Sequence, residues 1–120
     1  MPEVVTVKGL DELARQLEKL SPAILEAAEQ AVQEETEATA DDMRRFAPER
    51  TGELKRGIQA ERDGLEGRAV ATARHSTFVE HGTSDTPEQP FAAPAAELSR
   101  KRFPERVGEI VKQGLKELGK

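Results

Sequence analysis

Two histidines and one glutamate, His75, Glu80 and His81, form the group of side chains that comes nearest to a metal site or an acid–base site. Imidazole nitrogens and carboxylate oxygens are common zinc ligands and common proton carriers. Their spacing does not match the His-Glu-x-x-His pattern that places two histidines on one helix face. Glu80 and His81 are adjacent, so on a regular element their side chains point in different directions. We therefore expect no metal site and no catalytic site here.

Other signatures of catalysis are missing from the sequence. It contains no glycine-rich phosphate loop and no Gly-x-Ser-x-Gly motif. It contains no cysteine, which excludes disulfides, thiolate catalysis and zinc ribbons. Adjacent carboxylates such as Glu34 with Glu35 and Asp41 with Asp42 are typical of solvated helix surface. We expect a protein that is not an enzyme and binds no cofactor.

The composition predicts a single domain, residues 1–120, with a thin hydrophobic core. Apolar residues make up 36% and charged residues 34% of the chain, and there is no Trp or Tyr. Such a chain is either marginally stable or buries further surface in an assembly. The net charge of −5 argues against a general nucleic-acid-binding protein. No signal peptide and no apolar run of the roughly 18 residues needed for a membrane span is present.

The charge is distributed unevenly along the chain. Residues 22–40 include five Glu and no basic residue, whereas residues 100–120 include seven Lys or Arg and three Glu. Such a polarised molecule could stack head to tail through complementary faces. The alternative is that the two segments are solvated helix faces.

Residues 78–94 are the stretch around which the other elements are expected to be organised. Gly82 suits a left-handed backbone conformation, because glycine has no Cβ to clash. Pro87 and Pro90 stiffen the loop that follows, because proline fixes φ and lacks a backbone donor. Phe91, one of four aromatic residues in the chain, ends the loop. We expect Phe91 to be an anchor, either for the core of this chain or for a neighbouring subunit.

Periodicity predicts a strand and two helices in the amino-terminal half. The β-branched run within Glu3–Lys8 predicts a short strand. Apolar residues at three- and four-residue spacing over Leu10–Leu20 predict a helix of about three turns. A second helix is expected over Pro22–Phe46, with Ser21 as its N-cap. Small residues near Val32 would let another backbone approach this long helix closely.

A joint and a hairpin follow the second helix. Pro48 breaks the helix, and Thr51 is expected to cap a short helical turn through Leu54 in a basic neighbourhood. The basic joint is interpreted either as a solvated loop or as a loop that docks on an acidic partner or packaged nucleic acid. Strands are predicted over Ile58–Arg62 and Gly67–Ala73.

Two turns would connect these strands, a two-residue turn at Asp63-Gly64 or a longer loop from Asp63 to Gly67. The register differs between the two turns, so whether Val70 and Thr72 face the core or the solvent stays open.

The carboxy-terminal part is expected to be mainly helical. Residues 74–81 fit either a strand end or a short helix, and Phe78 and Val79 are expected to point into the core in both cases. Pro94 is expected to open a final helix that turns or kinks around Arg102–Pro104 and then continues to about Leu118. The fold class is therefore α+β, a small antiparallel sheet packed with a long central helix and a carboxy-terminal helix.

Several short motifs occur in an order and spacing that resemble a known family. They are Ala47-Pro48, Thr51-Gly52-Glu53-Leu54, Ile58, Phe78-Val79-Glu80-His81-Gly82-Thr83, Gln89-Pro90-Phe91 and Pro94-Ala95. In these motifs the chain resembles the tail-completion, or head–tail joining, neck proteins of long-tailed bacteriophages, prophages and gene-transfer particles.

The resemblance implies a structural virion protein of the neck, made in the host cytoplasm. Members of that family form a ring, typically a hexamer, between the tail terminator and the head-closure protein. It implies no membrane and at most incidental contact with packaged DNA. The docking loops would be formed by Arg50, Thr51, Gly52, Leu54, Gly82, Thr83, Pro90, Phe91 and Pro94.

Two kinds of alternative remain open. The chain could be the tail terminator or head-closure protein of the same connector. It could also be a small cytoplasmic binding or regulatory module that dimerises through its long helix.

Overall fold

The computed structural model describes residues 3–19, 23–49 and 52–118, and they form an α+β fold. Three antiparallel strands make one sheet, and two long helices pack with it, which confirms the predicted fold class. In chain order the elements are β1 (Glu3–Val7), α1 (Asp11–Glu18), α2 (Ala23–Phe46), α3 (Glu53–Arg56), β2 (Ile58–Asp63), β3 (Glu66–Ala71), α4 (Ser76–His81) and α5 (Ala92–Leu118).

The sheet has the order β1-β3-β2, with β3 in the centre. Asp63 pairs with Glu66, so Gly64 and Leu65 form a two-residue loop, and Gly64 has a φ of +61°. The loop therefore has two residues, as in the shorter of the two predicted turns. It lies at Gly64-Leu65, one residue later than the predicted Asp63-Gly64. This register buries Val70 and leaves Thr72, just beyond the strand, exposed.

Helix α2 crosses the sheet at very short distance. A Cβ built on Gly67 of β3 would lie 1.8 Å from the Thr36 hydroxyl oxygen, so only glycine fits there. Thr36 and Thr39 are fully buried and donate their hydroxyl protons to the carbonyl oxygens of Val32 and Glu35. The predicted close approach near Val32 is confirmed, and it occurs one helical turn later, at Thr36.

Two hydrophobic clusters share the core. The first lies where α2 ends and α5 begins, and its larger members are Met43, Leu54, Ile58 and Phe91. The second lies towards the other end of the same helix pair, and its larger members are Val7, Leu10, Ile24, Val32 and Ile110. Alanines fill much of the space between these side chains, as the low apolar content leads one to expect.

Helices α2 and α5 run antiparallel along the length of the molecule. Arg102 of α5 pairs with Glu35 of α2, and further along α5 the backbone of Gly114 lies against Ile24. The molecule is elongated, with principal extents of 61 × 22 × 20 Å. The two ends of this helix pair are therefore far apart.

Two predicted helices differ in detail. Helix α1 has eight residues, about two turns rather than three. Leu20, Ser21 and Pro22 lie outside the described residues. Helix α5 continues through Pro104, so of the predicted turn or kink, the turn is wrong. Pro104 is exposed, and on that side water is able to bind the carbonyl group that loses its helical partner.

Candidate functional site

Residues 76–81 form a short helix, α4, and only one side of it is buried. Ser76 and Glu80, one turn apart, are buried, whereas 61% of Phe78 is exposed. Val79 is half-buried against the first core cluster. Consecutive helical residues point about 100° apart, so Phe78 and Val79 do not share a face. The prediction that both point into the core is wrong for Phe78.

Glu80 caps the amino terminus of α5. Its carboxylate accepts hydrogen bonds from the backbone N–H groups of Phe91 at 2.9 Å, Ala92 at 2.8 Å and Ala93 at 3.0 Å. A helix begins with four N–H groups that have no helical partner, and the fourth here belongs to Pro94, which has no N–H. The helix starts at Ala92, two residues before the predicted start, and Pro94 lies in its first turn.

The segment between α4 and α5, residues 82–90, is tied to itself and to α4. Gly82 has a φ of +78°, and a Cβ there would lie 2.9 Å from the Glu88 nitrogen, so glycine is required. Thr83 donates its N–H to the Thr86 carbonyl at 2.9 Å, and its hydroxyl oxygen accepts from the Thr86 N–H at 3.1 Å. Gln89 donates its N–H to the Val79 carbonyl at 2.8 Å. The stiff loop predicted from the prolines therefore also has a hydrogen-bonded frame.

Phe91 is an anchor of this chain's own core. Its side chain is fully buried, in the cluster that includes Met43 and Leu54. Of the two roles considered from the sequence, the structure selects the core, because the Phe91 ring has no surface to offer to a neighbouring subunit. The expectation that Phe91 is a docking residue is corrected accordingly.

An apolar groove of about 210 Å³ lies beside the exposed Phe78 ring, and we call it the Phe78 groove. It is formed where the end of α2, the short helices α3 and α4, and the proline loop meet. Its lining residues are Pro48, Leu54, His75, Phe78, Val79, Thr83, Thr86, Pro87 and Gln89.

The groove brings together only some of the predicted docking residues. Leu54 and Thr83 line it. Gly52 begins α3 with a φ of +75°, and Pro90 is exposed at the far end of the proline loop. Two further predicted docking residues, Arg50 and Thr51, lie outside the described residues.

The docking-residue prediction missed the other seven lining residues of the groove, which are Pro48, His75, Phe78, Val79, Thr86, Pro87 and Gln89. The burial of Ser76 and Glu80 on one side of α4 places Phe78 on the outside, and the sequence carries no local signal for that burial.

A charge cluster joins α2 and α5 on the inside of the helix pair. Glu35 is fully buried and accepts hydrogen bonds from Arg102 at 2.7 Å and Arg106 at 2.8 Å. Arg102 also reaches Asp42 at 3.0 Å, and Arg106 reaches Glu34 at 3.1 Å. The acidic and basic segments noted in the sequence thus face each other within one chain. For these residues, neither of the two interpretations of the charge pattern applies, because they are paired within the chain instead of stacking on another copy or lying fully in solvent.

The ionisation of Glu35 follows from its surroundings. Burial alone would raise the pKa of this carboxyl group. Hydrogen bonds from Arg102, Arg106 and Ser99 outweigh burial and hold the pKa of Glu35 below its ordinary value. The hydrogen bond to Glu35 in turn raises the pKa of Arg102. Glu35 and Arg102 are therefore both charged at neutral pH.

The basic joint after α2 is also largely compensated within the chain. Lys55 lies 2.6 Å from the Glu49 carboxylate, and this hydrogen bond lowers the pKa of Glu49. Arg44 binds Asp41 at 2.7 Å and the Ile58 carbonyl at 2.6 Å. These contacts leave less positive charge for a nucleic acid than the sequence alone indicates.

The histidines and Glu80 are placed apart rather than in one site. His75 lines the groove, Glu80 caps α5, and the His81 Nε2 atom lies 3.2 Å from a Glu3 carboxylate oxygen. Within residues 3–19, 23–49 and 52–118, no group of three or more histidine, aspartate or glutamate side chains is arranged to hold a metal ion. None of the helices in that part of the chain has the length and apolar character of a membrane span.

The model of the HK97-gp10-like family, described as a bacteriophage HK97-gp10 tail component, matches residues 11–82, which is more than half of the chain. The chain belongs to the HK97-gp10-like family. No curated protein and no solved structure matches it.

Membership of the HK97-gp10-like family makes the protein a phage tail component, and its place is in the virion. The resemblance to phage neck proteins noted in the sequence is consistent with this family. The match covers α1 to α4 and ends at Gly82, before the proline loop and α5. One side of the Phe78 groove, with Pro48, Leu54 and Phe78, lies within the region that matches the family model. The other side is formed by the proline loop, which lies outside that region.

Proposed function

We propose that this HK97-gp10-like protein completes the tail in the phage neck and joins it to the DNA-filled head. In this proposal it is a structural subunit of a ring of identical copies, typically a hexamer. The ring lies between the tail terminator and the head-closure protein. The protein acts by binding alone, without catalysis and without a cofactor.

The Phe78 groove is the observation that carries the proposal. An aromatic side chain that is 61% exposed, beside an apolar groove, offers a continuous apolar surface that a protein partner would cover. The loop that forms one wall is held by the backbone and hydroxyl hydrogen bonds of Thr83. A preformed surface of this kind binds with little ordering of the chain, which suits a subunit that assembles with other proteins.

Family membership favours this role over the cytoplasmic module considered from the sequence, because a tail component belongs to the particle. The tail terminator and the head-closure protein are neighbours of the proposed ring. Their roles are distinguished by the particles that form when the protein is missing.

Electron microscopy of particles from a producing strain that lacks the gene tests the proposal. Filled heads and finished tails that lie apart would support the joining role. Tails of irregular or excessive length would assign the protein as a tail terminator, and empty, leaking heads would assign it as a head-closure protein. Normal infectious particles would contradict a role in the neck.

Complementation of the deletion strain tests the groove itself. Phe78→Ser is expected to fail to restore joined particles, because it removes the exposed ring without opening the core. Val4→Thr is a matched control, since Val4 is also exposed, at 42%, and threonine keeps the β-branched shape that suits a strand. Full restoration by Phe78→Ser would show that the groove takes no part in joining.

A further inference from the structure

The two ends of the α2–α5 pair carry different exposed apolar features. The Phe78 groove lies where α2 ends and α5 begins. At the other end, Gly114 still packs against Ile24, with 3.1 Å from an added Cβ to the Ile24 Cδ1 atom. Leu115 is the next residue, and 59% of it is exposed. At 1.5 Å per residue, Leu115 is roughly 35 Å along α5 from its first turn.

Leu115 lies on a basic helix face. Lys112 and Lys116 are three residues before it and one residue after it, so all three side chains lie on neighbouring positions of one face. Lys112 and Lys116 are both exposed, and Lys112 lies 3.8 Å from a carboxylate oxygen of Glu109 in an exposed ion pair. An apolar side chain between two ammonium groups fits an apolar depression with an acidic rim.

The loop that forms one side of the Phe78 groove carries acidic residues next to the lining residues Thr86, Pro87 and Gln89. Residues 82–91 include Asp85 and Glu88 and no basic residue. Both are exposed, and neither forms an ion pair with another residue in the part of the chain that the structure describes. The groove volume of about 210 Å³ is below the roughly 300 Å³ at which small-molecule sites begin. It suits one or two aliphatic side chains of a protein partner.

We propose that the Phe78 groove of one copy binds the Leu115 end of α5 from a second copy of this chain. Leu115 packs against the Phe78 ring, while Lys112 and Lys116 lie opposite Asp85 and Glu88. This inference rests on the proposed ring and gives the ring its contact between neighbouring subunits. Because two different surfaces meet, the contact is heterologous, and repetition closes a ring when the rotation between copies permits.

The chain itself supports a second copy as the occupant. The groove and the Leu115 face lie at opposite ends of one elongated molecule, so they cannot meet within a single chain. The apolar and charged parts of the two surfaces are complementary, so a single contact between two copies would cover the groove and the Leu115 face together. A single contact of this size is small beside the roughly 800 Å² per partner of a stable interface. We therefore expect weak pairs and a much more stable closed ring.

Cysteine cross-linking tests the contact directly, because the natural chain has no cysteine. Thr86→Cys places a thiol in the groove, and Lys116→Cys places one beside Leu115. When the two purified single variants are mixed and oxidised, we expect cross-linked dimers that need both variants. Gln59→Cys, on the exposed side of β2, is the control and is expected to cross-link with neither.

Charge exchange gives a second, independent readout. Lys116→Glu alone and Glu88→Lys alone are each expected to weaken self-association about five-fold in sedimentation velocity, and the double variant is expected to recover it. Phe78→Ala is expected to weaken self-association at least about ten-fold. Lys101→Glu, an exposed reversal elsewhere on α5, is expected to have no effect.

Three results would overturn the inference. They are cross-linking of Thr86→Cys with itself alone, cross-linking of the groove to a different protein in assembled particles, and failure of the double charge variant to recover association. If the deletion strain made separate heads and tails but no groove-to-α5 cross-links formed, the neck role would be supported and this contact would be wrong. If the cross-links formed but the deletion strain made normal particles, the contact would be supported and the neck role would be wrong.

Discussion

Gly67 of the central strand lies directly against Thr36 of the long helix, with no room for a β carbon between them. An added Cβ would be 1.8 Å from the Thr36 hydroxyl oxygen and 3.0 Å from its β carbon. The Thr36 side chain is itself fixed by its hydrogen bond to the Val32 carbonyl at 2.7 Å. The separation of sheet and helix is therefore set at this one contact.

Gly67→Ala is expected to destabilise the fold by about 3 kcal/mol, because the helix or the strand has to move to admit the methyl group. Chemical denaturation followed by circular dichroism measures the change. Gly108→Ala is the matched control, since nothing lies within 4 Å of its added Cβ. It is expected to stabilise the protein by up to about 1 kcal/mol, because alanine favours a helix over glycine. Equal effects of the two substitutions would contradict this account.

Glu80→Ala is expected to lower the free energy of unfolding by about 2 kcal/mol. The change leaves the buried N–H groups of Phe91 and Ala92 without an acceptor. Glu80→Gln is expected to lower it less, because one amide oxygen remains to accept. Glu88→Ala, a nearby exposed glutamate, is the control in the same thermal-unfolding experiment. A loss no larger than that of the control would show that capping by Glu80 contributes nothing.

Acid is expected to destabilise the protein through Glu35. Its pKa in the folded state is lowered from the ordinary value of 4.5. The unfolded chain thus takes up the proton first as the pH falls, so the stabilisation is complete above about pH 4.5 and is lost below it.

Glu35→Gln is expected to lower the free energy of unfolding by about 3 kcal/mol at pH 7, and by progressively less below pH 4.5. Unfolding in urea over a pH series measures both effects. Glu37→Gln, an exposed glutamate on α2, serves as the control. A difference between Glu35→Gln and the natural protein that does not change with pH would show that the Glu35 charge is not the cause.

Phe91→Ala and Phe78→Ala are expected to separate folding from binding. Phe91 is fully buried, so its truncation is expected to lower stability by about 4 kcal/mol. Phe78 is 61% exposed, and its truncation is expected to change stability by less than about 1 kcal/mol. Thermal unfolding of both variants is the measurement. If Phe91→Ala left stability unchanged, its place in the core would be wrong.

The sequence predicts those parts of the fold that local patterns determine. Helix α2 begins within one residue of its expected start and ends at Phe46 as expected. The β-branched run gives β1, and the hairpin forms between the two predicted strands. Hydrophobic period and turn residues act over a few positions, so they can be read without knowing the fold.

The missed features depend on contacts between distant residues. Nothing around Glu35 in the sequence marks it as buried, because its partners Arg102 and Arg106 are 67 and 71 residues away. The large apolar side chain predicts that Phe78 points inward, whereas the burial of Ser76 and Glu80 leaves this ring facing outward. Local patterns do not determine which residues at a helix end become the candidate site.

The distance along the chain between Glu35 and its arginine partners has a consequence for how the protein folds. Contacts at a separation of 67 residues form late, since the chain first has to close a large loop. Strand β1, made first, likewise has to wait for the central strand β3, because its Val5 pairs with Ala69. During synthesis, Glu35 therefore remains hydrated until α5 leaves the ribosome and docks. Closing the charge cluster is thus a late step of folding, and a chain that stops before Arg102 cannot complete it.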